Sequence, residues 1–169
     1  METSYQIFSA RSDSDFAAIR QLYYDTWQSA YRNLIPASFL AQLSPQTWHP
    51  EQRWQNTMLA QDQQRRLVGV CSFGPARLAE FTGWGELYSI YVAPEYQNLG
   101  VGHQLLQQGV ARLRASYERI YLLVLANNVA AQRFYQHLGF RDTGQLRTAQ
   151  SSLGTLTERI FVCQPAENK

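Results

Sequence analysis

The sequence predicts one domain of mixed α+β type, and three observations predict it. From Gly85 to Leu125 a β-branched and aromatic run, Leu87 to Val92, is stopped by Pro94. A glycine-bearing loop, Gln97 to Gly102, then opens a helix from His103 to Ser116, and an unbroken apolar run follows at Ile120 to Leu125. Strand, helix and doubly covered strand make a parallel β-α-β unit. Near the start, Phe16, Ile19, Leu22, Tyr23, Thr26, Trp27 and Ala30 recur at helical spacing, the mark of an amphipathic helix. Near the end, Phe140 to Cys163 reads as two antiparallel strands around a polar turn at Ser151 to Gly154.

The remaining elements follow in chain order. Tyr5 to Ser9 is a short first strand, and Ser12-Asp13-Ser14 supplies cap chemistry for the first helix. Pro36 and Pro45 suit the first position of further short helices. Arg53 to Ala60 could extend a helix, but L-V-G-V-C-S-F from Leu67 to Phe73 is a strand and needs a partner. A hairpin is therefore expected, with Thr57 to Gln61 turning at Asp62-Gln63-Gln64. After Ile120 to Leu125, Asn127 or Asn128 caps a helix that ends at Gly139. Glu167 to Lys169 reads as a tail.

Composition narrows the function classes. The chain has 169 residues, 45% of them apolar and 13% aromatic, enough to bury a substantial core in one domain, residues 1–169. No run approaches the roughly 18 to 20 apolar residues of a membrane span, and the polar start M-E-T-S is no secretory signal. A cytoplasmic protein with no membrane partner is expected. The net charge of +2, with scattered arginines, gives no reason to expect nucleic acid. Cys71 and Cys163 form no C-x-x-C pair and are expected to be buried thiols, and His49, His103 and His137 lack metal-ligand spacing, so no metal is expected.

The loop at Gln97 to Gly102 carries the chemistry. A helix start leaves backbone N–H groups unpaired, and Gly100 and Gly102 lack the Cβ atoms that would keep an anion away. A diphosphate fits such a place. Two glycines ahead of a helix also serve as plain turn or packing residues, so the loop by itself decides nothing. Neither G-K-[ST] nor G-x-G-x-x-G, the signatures of other nucleotide-binding loops, occurs.

Taken with its surroundings the loop is more specific. Tyr91 to Pro94 (Y-V-A-P), Gln97, Gly100 and Gly102, then Asn128, Tyr135 and Gly139-Phe140, stand in an order and spacing that resemble the GNAT superfamily of acetyl-CoA-dependent N-acetyltransferases. The close motifs cover roughly residues 85 to 140. The resemblance implies a central twisted mixed sheet of about six to seven strands flanked by helices, with acetyl-CoA as acetyl donor. It also implies an amine acceptor, a small molecule or a protein amine, and homodimers are common among such proteins.

The resemblance also implies a set of roles. Gln97, Asn98, Leu99, Gly100, Val101, Gly102 and His103 would hold the diphosphate. Members commonly carry glycine and a basic residue where this chain has Asn98 and Leu99, so holding a phosphate here must rest more on the backbone. The backbone of Ile90, Tyr91 and Val92 would pair with the pantetheine arm and offer an N–H to the thioester carbonyl. Asn128 would bind that arm, and Tyr135 would protonate the departing thiolate. A thiol pKa of about 8.5 and a phenol pKa of about 10 make that transfer plausible. Read without the resemblance, Tyr135 is one member of an apolar stripe with Ala131, Phe134 and Leu138.

Glu86 matches a strand position where some members carry a base. It could act through a water, attract a cationic amine, or close a surface salt bridge. Tyr23, Trp27 and Tyr31 stand four residues apart on one side of the first helix. They are either core-edge aromatics or, by the resemblance, the wall of an acceptor pocket. Two other readings stay open: a non-catalytic acyl-CoA-binding module, and an acyltransferase acting on another acceptor group.

Overall fold

The computed structural model describes residues 4–163; the polar start and the tail expected at Glu167 to Lys169 lie largely or wholly outside them. Seven strands and four α-helices follow in the order β1 (Tyr5–Ser9), α1 (Phe16–Ala30), α2 (Ala37–Leu40), β2 (Thr57–Asp62), β3 (Leu67–Pro75) and β4 (Gly85–Val92). Then come α3 (Val101–Arg114), β5 (Ile120–Leu125), α4 (Val129–His137), β6 (Phe140–Ser151) and β7 (Gly154–Cys163). The strands lie in the order β1-β2-β3-β4-β5-β7-β6. Two compact units divide the chain: Met1–Phe73 with Ser89–Gly109, and Gly74–Tyr88 with Val110–Lys169.

In the first unit β1, β2 and β3 form an antiparallel meander. The hairpin reading of Thr57 onward is thus the one adopted, because β2 is buried over Thr57–Ala60 and takes its ladder partners from both neighbours. The β2–β3 register slips between Ala60 and Gln61, and such a bulge re-aims the residues that follow it. Helix α1 buries Ile19, Leu22, Tyr23 and Thr26. Its cap is Asp15, whose Oδ1 accepts from the Ala18 N–H at 3.0 Å, rather than a residue of Ser12-Asp13-Ser14. Ser14 instead accepts from the Arg11 N–H, so the capping chemistry lies one residue later. Pro36 precedes α2 as its cap and Pro45 opens a 3₁₀ turn.

Helix α3 starts at Val101, two residues before the expected His103. The reason is packing on β3. A Cβ added at Gly69 would meet Leu105 Cδ1 at 2.8 Å and Val101 Cγ1 at 3.2 Å, and both side chains are completely buried. Val101 is therefore worth holding in the helix, although β-branching argues against it there.

In the second unit β4 pairs in parallel with β5 at Gly85↔Ile120, Glu86↔Tyr121 and Leu87↔Leu122. Strand β7 pairs antiparallel with both β5 and β6. Ile120, Tyr121, Leu122, Ile160 and Phe161 form the buried centre. Burying one such side chain contributes about 1.5–3 kcal/mol. Cys71 is buried, whereas Cys163 is only half-buried and accepts from Arg114.

Candidate functional site

The loop between β4 and α3 is built in steps. Ala93 donates to the Val68 carbonyl at 2.8 Å, which ties the end of β4 to β3. Pro94–Tyr96 makes a single 3₁₀ turn, and Gln97 Nε2 closes back onto the Val92 carbonyl at 3.1 Å. Asn98 then takes φ +60° and Gly100 φ +86°. Left-handed backbone favours glycine, and asparagine is among the few other residues that adopt it readily. Asn98, which departs from the family pattern, therefore keeps a conformation that a glycine would keep. Leu99, the second departure, is 44% exposed and brings no charge.

Gly100 is the cap of α3. The first intrahelical bond runs from the Gln104 N–H to the Gly100 carbonyl at 3.0 Å, so by helix geometry the N–H groups of Val101, Gly102 and His103 lie ahead of the ladder. Alternating left-handed residues followed by free helix N–H groups make a concavity of positive partial charge. A Cβ at Gly100 would come within 3.4 Å of the Tyr5 hydroxyl. The left-handed turn and the helix start together thus fit a phosphate group through backbone.

The same unit holds an aromatic cluster. Tyr23 stacks on Trp48 at 5.8 Å and meets Tyr91 edge-on at 5.2 Å. Trp27 packs edge-on against Tyr31 at 4.7 Å, stacks on Phe39 and contacts Trp48. Trp27 Nε1 donates to the Tyr91 hydroxyl at 3.0 Å, and the Tyr23 and Ser89 hydroxyls share a bond of 3.1 Å. Tyr23, Trp27 and Tyr31 are therefore brought together. Phe39, Trp48 and Tyr91 join them, and sequence reasoning missed the first two because the four-residue helix α2 that carries Phe39 and the stretch after the 3₁₀ turn that carries Trp48 are too short to show periodicity. Burial pushes the Tyr91 phenol well above its usual value, with Tyr31 and Tyr23 adding to the shift. It also raises Tyr23, against the opposing bond from Ser89. Both phenols stay neutral, so the cluster offers rings and hydroxyls and no anionic base.

In the second unit Glu86 is completely buried. Its Oε1 accepts from Arg77 Nη2 at 2.7 Å and Nε at 3.2 Å, and its Oε2 from the Arg77 N–H at 2.9 Å and the Tyr121 hydroxyl at 2.6 Å. Four donors fill the lone pairs of a carboxylate. The geometry is that of an ion pair, buried on the Glu86 side rather than lying at the surface. Burial opposes the Arg77 charge, but the hydrogen bonds and charge of Glu86 outweigh it and hold the guanidinium pKa above its usual value.

Asn128 caps α4, its Oδ1 accepting from the Ala131 N–H at 3.1 Å. The cap uses the side-chain oxygen and not the NH₂ group. Gln132 donates to the carbonyls of Leu125 and Ala126, both at 3.0 Å, and so fixes the helix to the end of β5. Tyr135 is half-buried, its ring edge-on to Phe134 at 5.4 Å and to Phe140 at 6.0 Å. The ring is thus packed as an apolar stripe requires, yet the residue is not sealed off from solvent. Among the described residues no cluster of three or more His, Cys, Asp or Glu could hold a metal, and no helix is long and apolar enough to cross a membrane.

The model of the acetyltransferase (GNAT) family matches residues 16–140. The N-acetyltransferase YuaI of Bacillus subtilis (strain 168) is 31% identical over 128 residues, 72% of each chain. The ribosomal protein bS18-alanine N-acetyltransferase of Escherichia coli (strain K12) is 29% identical over 133 residues, 72% of this chain and 90% of that one. Among solved structures, the E. coli ribosomal-protein-S18-alanine N-acetyltransferase superposes with a TM-score of 0.65 at 20% identity, over 98% of this chain and 99% of that one. A PaiA N-acetyltransferase from Thermoplasma acidophilum, in complex with coenzyme A, superposes with a TM-score of 0.67 at 16% identity, over 92% and 98%. With the family model spanning most of the chain, and the seven-stranded mixed sheet shared with these structures, the protein belongs to the acetyltransferase (GNAT) family and is an N-acetyltransferase.

Proposed function

We propose that this chain works as one acetyltransferase domain that moves the acetyl group of acetyl-CoA directly to the primary amine of a small or apolar acceptor. The observation that carries the donor half is the loop: left-handed Asn98 and Gly100 followed by the N–H groups of Val101, Gly102 and His103. Gln97 and Leu99 complete the loop, and backbone alone supplies the positive partial charge. The observation behind the acceptor half is the cluster of Tyr23, Trp27, Tyr31 and Trp48, whose rings favour an apolar body and whose faces attract a cationic one.

The chemistry needs four contributions. The backbone of Ile90, Tyr91 and Val92 holds the pantetheine arm as a neighbouring strand would, and one of its N–H groups polarises the thioester carbonyl; a single such donor is worth about 3 kcal/mol of barrier in enzymes generally. The Asn128 side-chain NH₂ steadies the same arm. As the amine nitrogen bonds to the carbonyl carbon and the carbon–sulfur bond breaks, Tyr135 gives its phenolic proton to the departing thiolate. The proton lost by the nitrogen passes to water, and the Tyr135 phenolate takes one back from water, so that the phenol is restored for the next turnover. Glu86 takes no part in proton transfer in this reading. With every lone pair engaged, it holds Arg77 and Tyr121 in place.

The activities of the relatives frame the acceptor. One acts on an alanine of ribosomal protein bS18, and aromatic walls suit an apolar peptide amine as well as a small one. The test is thiol release from acetyl-CoA over a panel of alanyl peptides, amino acids, polyamines and arylamines. Release with an apolar amine supports the reading. Release only with polyamines would contradict the acceptor half, and binding of acetyl-CoA with no release by any amine would favour a non-catalytic acyl-CoA-binding module.

A further inference from the structure

The loop is fastened at a point that none of these roles uses. Asp62 ends β2, and its side chain is 2% exposed. Its Oδ1 accepts from the N–H groups of Gln64 and Arg66, both at 2.9 Å, which is the ordinary work of an aspartate in a turn. Its Oδ2 does something the turn does not need. It accepts from Arg66 Nε at 2.7 Å and from the Tyr96 hydroxyl at 2.9 Å, 34 residues further along the chain. Arg66 Nη2 closes the triangle onto the same hydroxyl at 3.3 Å.

Two features of the hairpin accompany this contact. The β2–β3 register slips just before Asp62, and Arg65 takes φ +63°, a costly conformation for an arginine. Tyr96 in turn is 7% exposed and stands immediately before Gln97. Opposite Asp62 in the β1–β2 ladder is Tyr5, whose hydroxyl is the nearest atom to a Cβ placed on Gly100. Both ends of the left-handed stretch therefore rest on one end of the β1–β2–β3 meander.

We propose that Asp62 and Tyr96 are positioning residues for the donor's diphosphate: the charge-assisted bond between them fixes where the turn before Gln97 ends, and so aims the backbone N–H groups of Gln97 to His103. The inference rests on the reading of this loop as the acetyl-CoA diphosphate site. A backbone cradle with no basic side chain at Leu99 has only geometry with which to bind, so an error in its aim is not made good by a charge. Arg66 acts behind Asp62, holding the carboxylate ionised and turned toward Tyr96.

The test compares two donors by calorimetry and competition: acetyl-CoA, and S-acetylpantetheine, which has the same thioester arm and no diphosphate. In Tyr96→Phe the ring stays and only the hydroxyl goes. Its affinity for acetyl-CoA should fall about tenfold, the usual effect of losing a bond to a charged group, with S-acetylpantetheine unchanged. Asp62→Asn should show the same selective loss, and the double variant should be no weaker than the worse single one. If the wild type binds acetyl-CoA and Tyr96→Phe binds both donors as the wild type does, or loses both equally, the contact is only a staple of the fold and the inference is overturned. If the wild type binds no acetyl-CoA, the proposed function falls first and this inference with it.

Discussion

The Tyr121 hydroxyl donates to Glu86 Oε2 at 2.6 Å from a ring that stacks on Phe81 at 4.2 Å, and the pair stands in register across the parallel β4–β5 ladder. Burial, followed by the bond to Glu86, pushes the Tyr121 phenol well above its usual value. Leu78 donates its N–H to the same hydroxyl at 3.4 Å, and the Arg77 guanidinium lies 4.3 Å from the centre of the Tyr88 ring. The carboxylate thus gathers the start of the 76–84 connection onto the sheet.

Glu86→Gln should therefore act on stability. The amide keeps the shape but presents N–H groups where Glu86 now accepts four bonds, and breaking one side of a buried pair costs about 3 kcal/mol. Urea denaturation should record a lower midpoint with an unchanged slope. An unchanged midpoint with activity abolished would restore the reading of Glu86 as a base.

Tyr135→Phe should separate chemistry from binding. The ring keeps its edges against Phe134 and Phe140, so packing survives, while the proton source for the thiolate is gone. A fall in kcat of about a hundredfold, within the range for general acid catalysis, is expected with little change in acetyl-CoA affinity. Equal loss of both would mark the residue as part of the apolar stripe alone.

Alkaline pH should weaken the fold. Burial pushes the Cys71 thiol up to about 12 from its usual 9.0, and it raises Tyr23 and Tyr91 as well. Each of these groups is neutral when protonated, and the fold favours that form. Their contribution is complete below the unfolded values and disappears as pH rises through the folded ones. Tm should hold to about pH 9 and then decline toward about pH 12. Iodoacetamide should label Cys71 only after unfolding. A flat Tm above about pH 9, or ready labelling of Cys71 itself in the native protein, would contradict the burial.

Acid should act through Asp62 with the opposite sign. Burial opposes its charge, but bonds from the Arg66 N–H, Tyr96 and the Arg66 side chain prevail and hold its pKa below the usual carboxylate value. Its contribution is present above the unfolded value and is lost as pH falls through the folded one. Asp62→Asn should thus flatten the acid limb of the stability curve, and a limb identical to that of the wild type would count against this assignment.

Much of the frame was legible because it rests on local rules. Ile120 to Leu125 reads as a strand from its unbroken apolar run, and Gly139, observed at φ +94°, reads as a helix end from its residue type. At the start of α3, where the sequence misled, a long-range contact outweighed the local signal. Val101 joins α3 early because Gly69, thirty-two positions away, leaves room for it. Asp15 takes the cap that Ser14 could have taken. The loop residues could be named in advance from glycine spacing, but the left-handed turn at Asn98 could not, since asparagine only permits it. Trp48, Phe39 and the Asp62–Tyr96 contact were not legible at all. Each depends on which distant segments the sheet brings together, and no periodicity records that.

The most direct test of the donor site is calorimetric titration of the wild type and of Gly100→Val with acetyl-CoA. Valine at that position would carry a Cβ in a left-handed backbone, φ +86°, facing the Tyr5 hydroxyl, and would fill the cradle. The wild type should bind and the variant should not, with its thermal unfolding still cooperative. Equal binding by the two proteins, or none by the wild type, would contradict the placement of the diphosphate at Gln97 to His103.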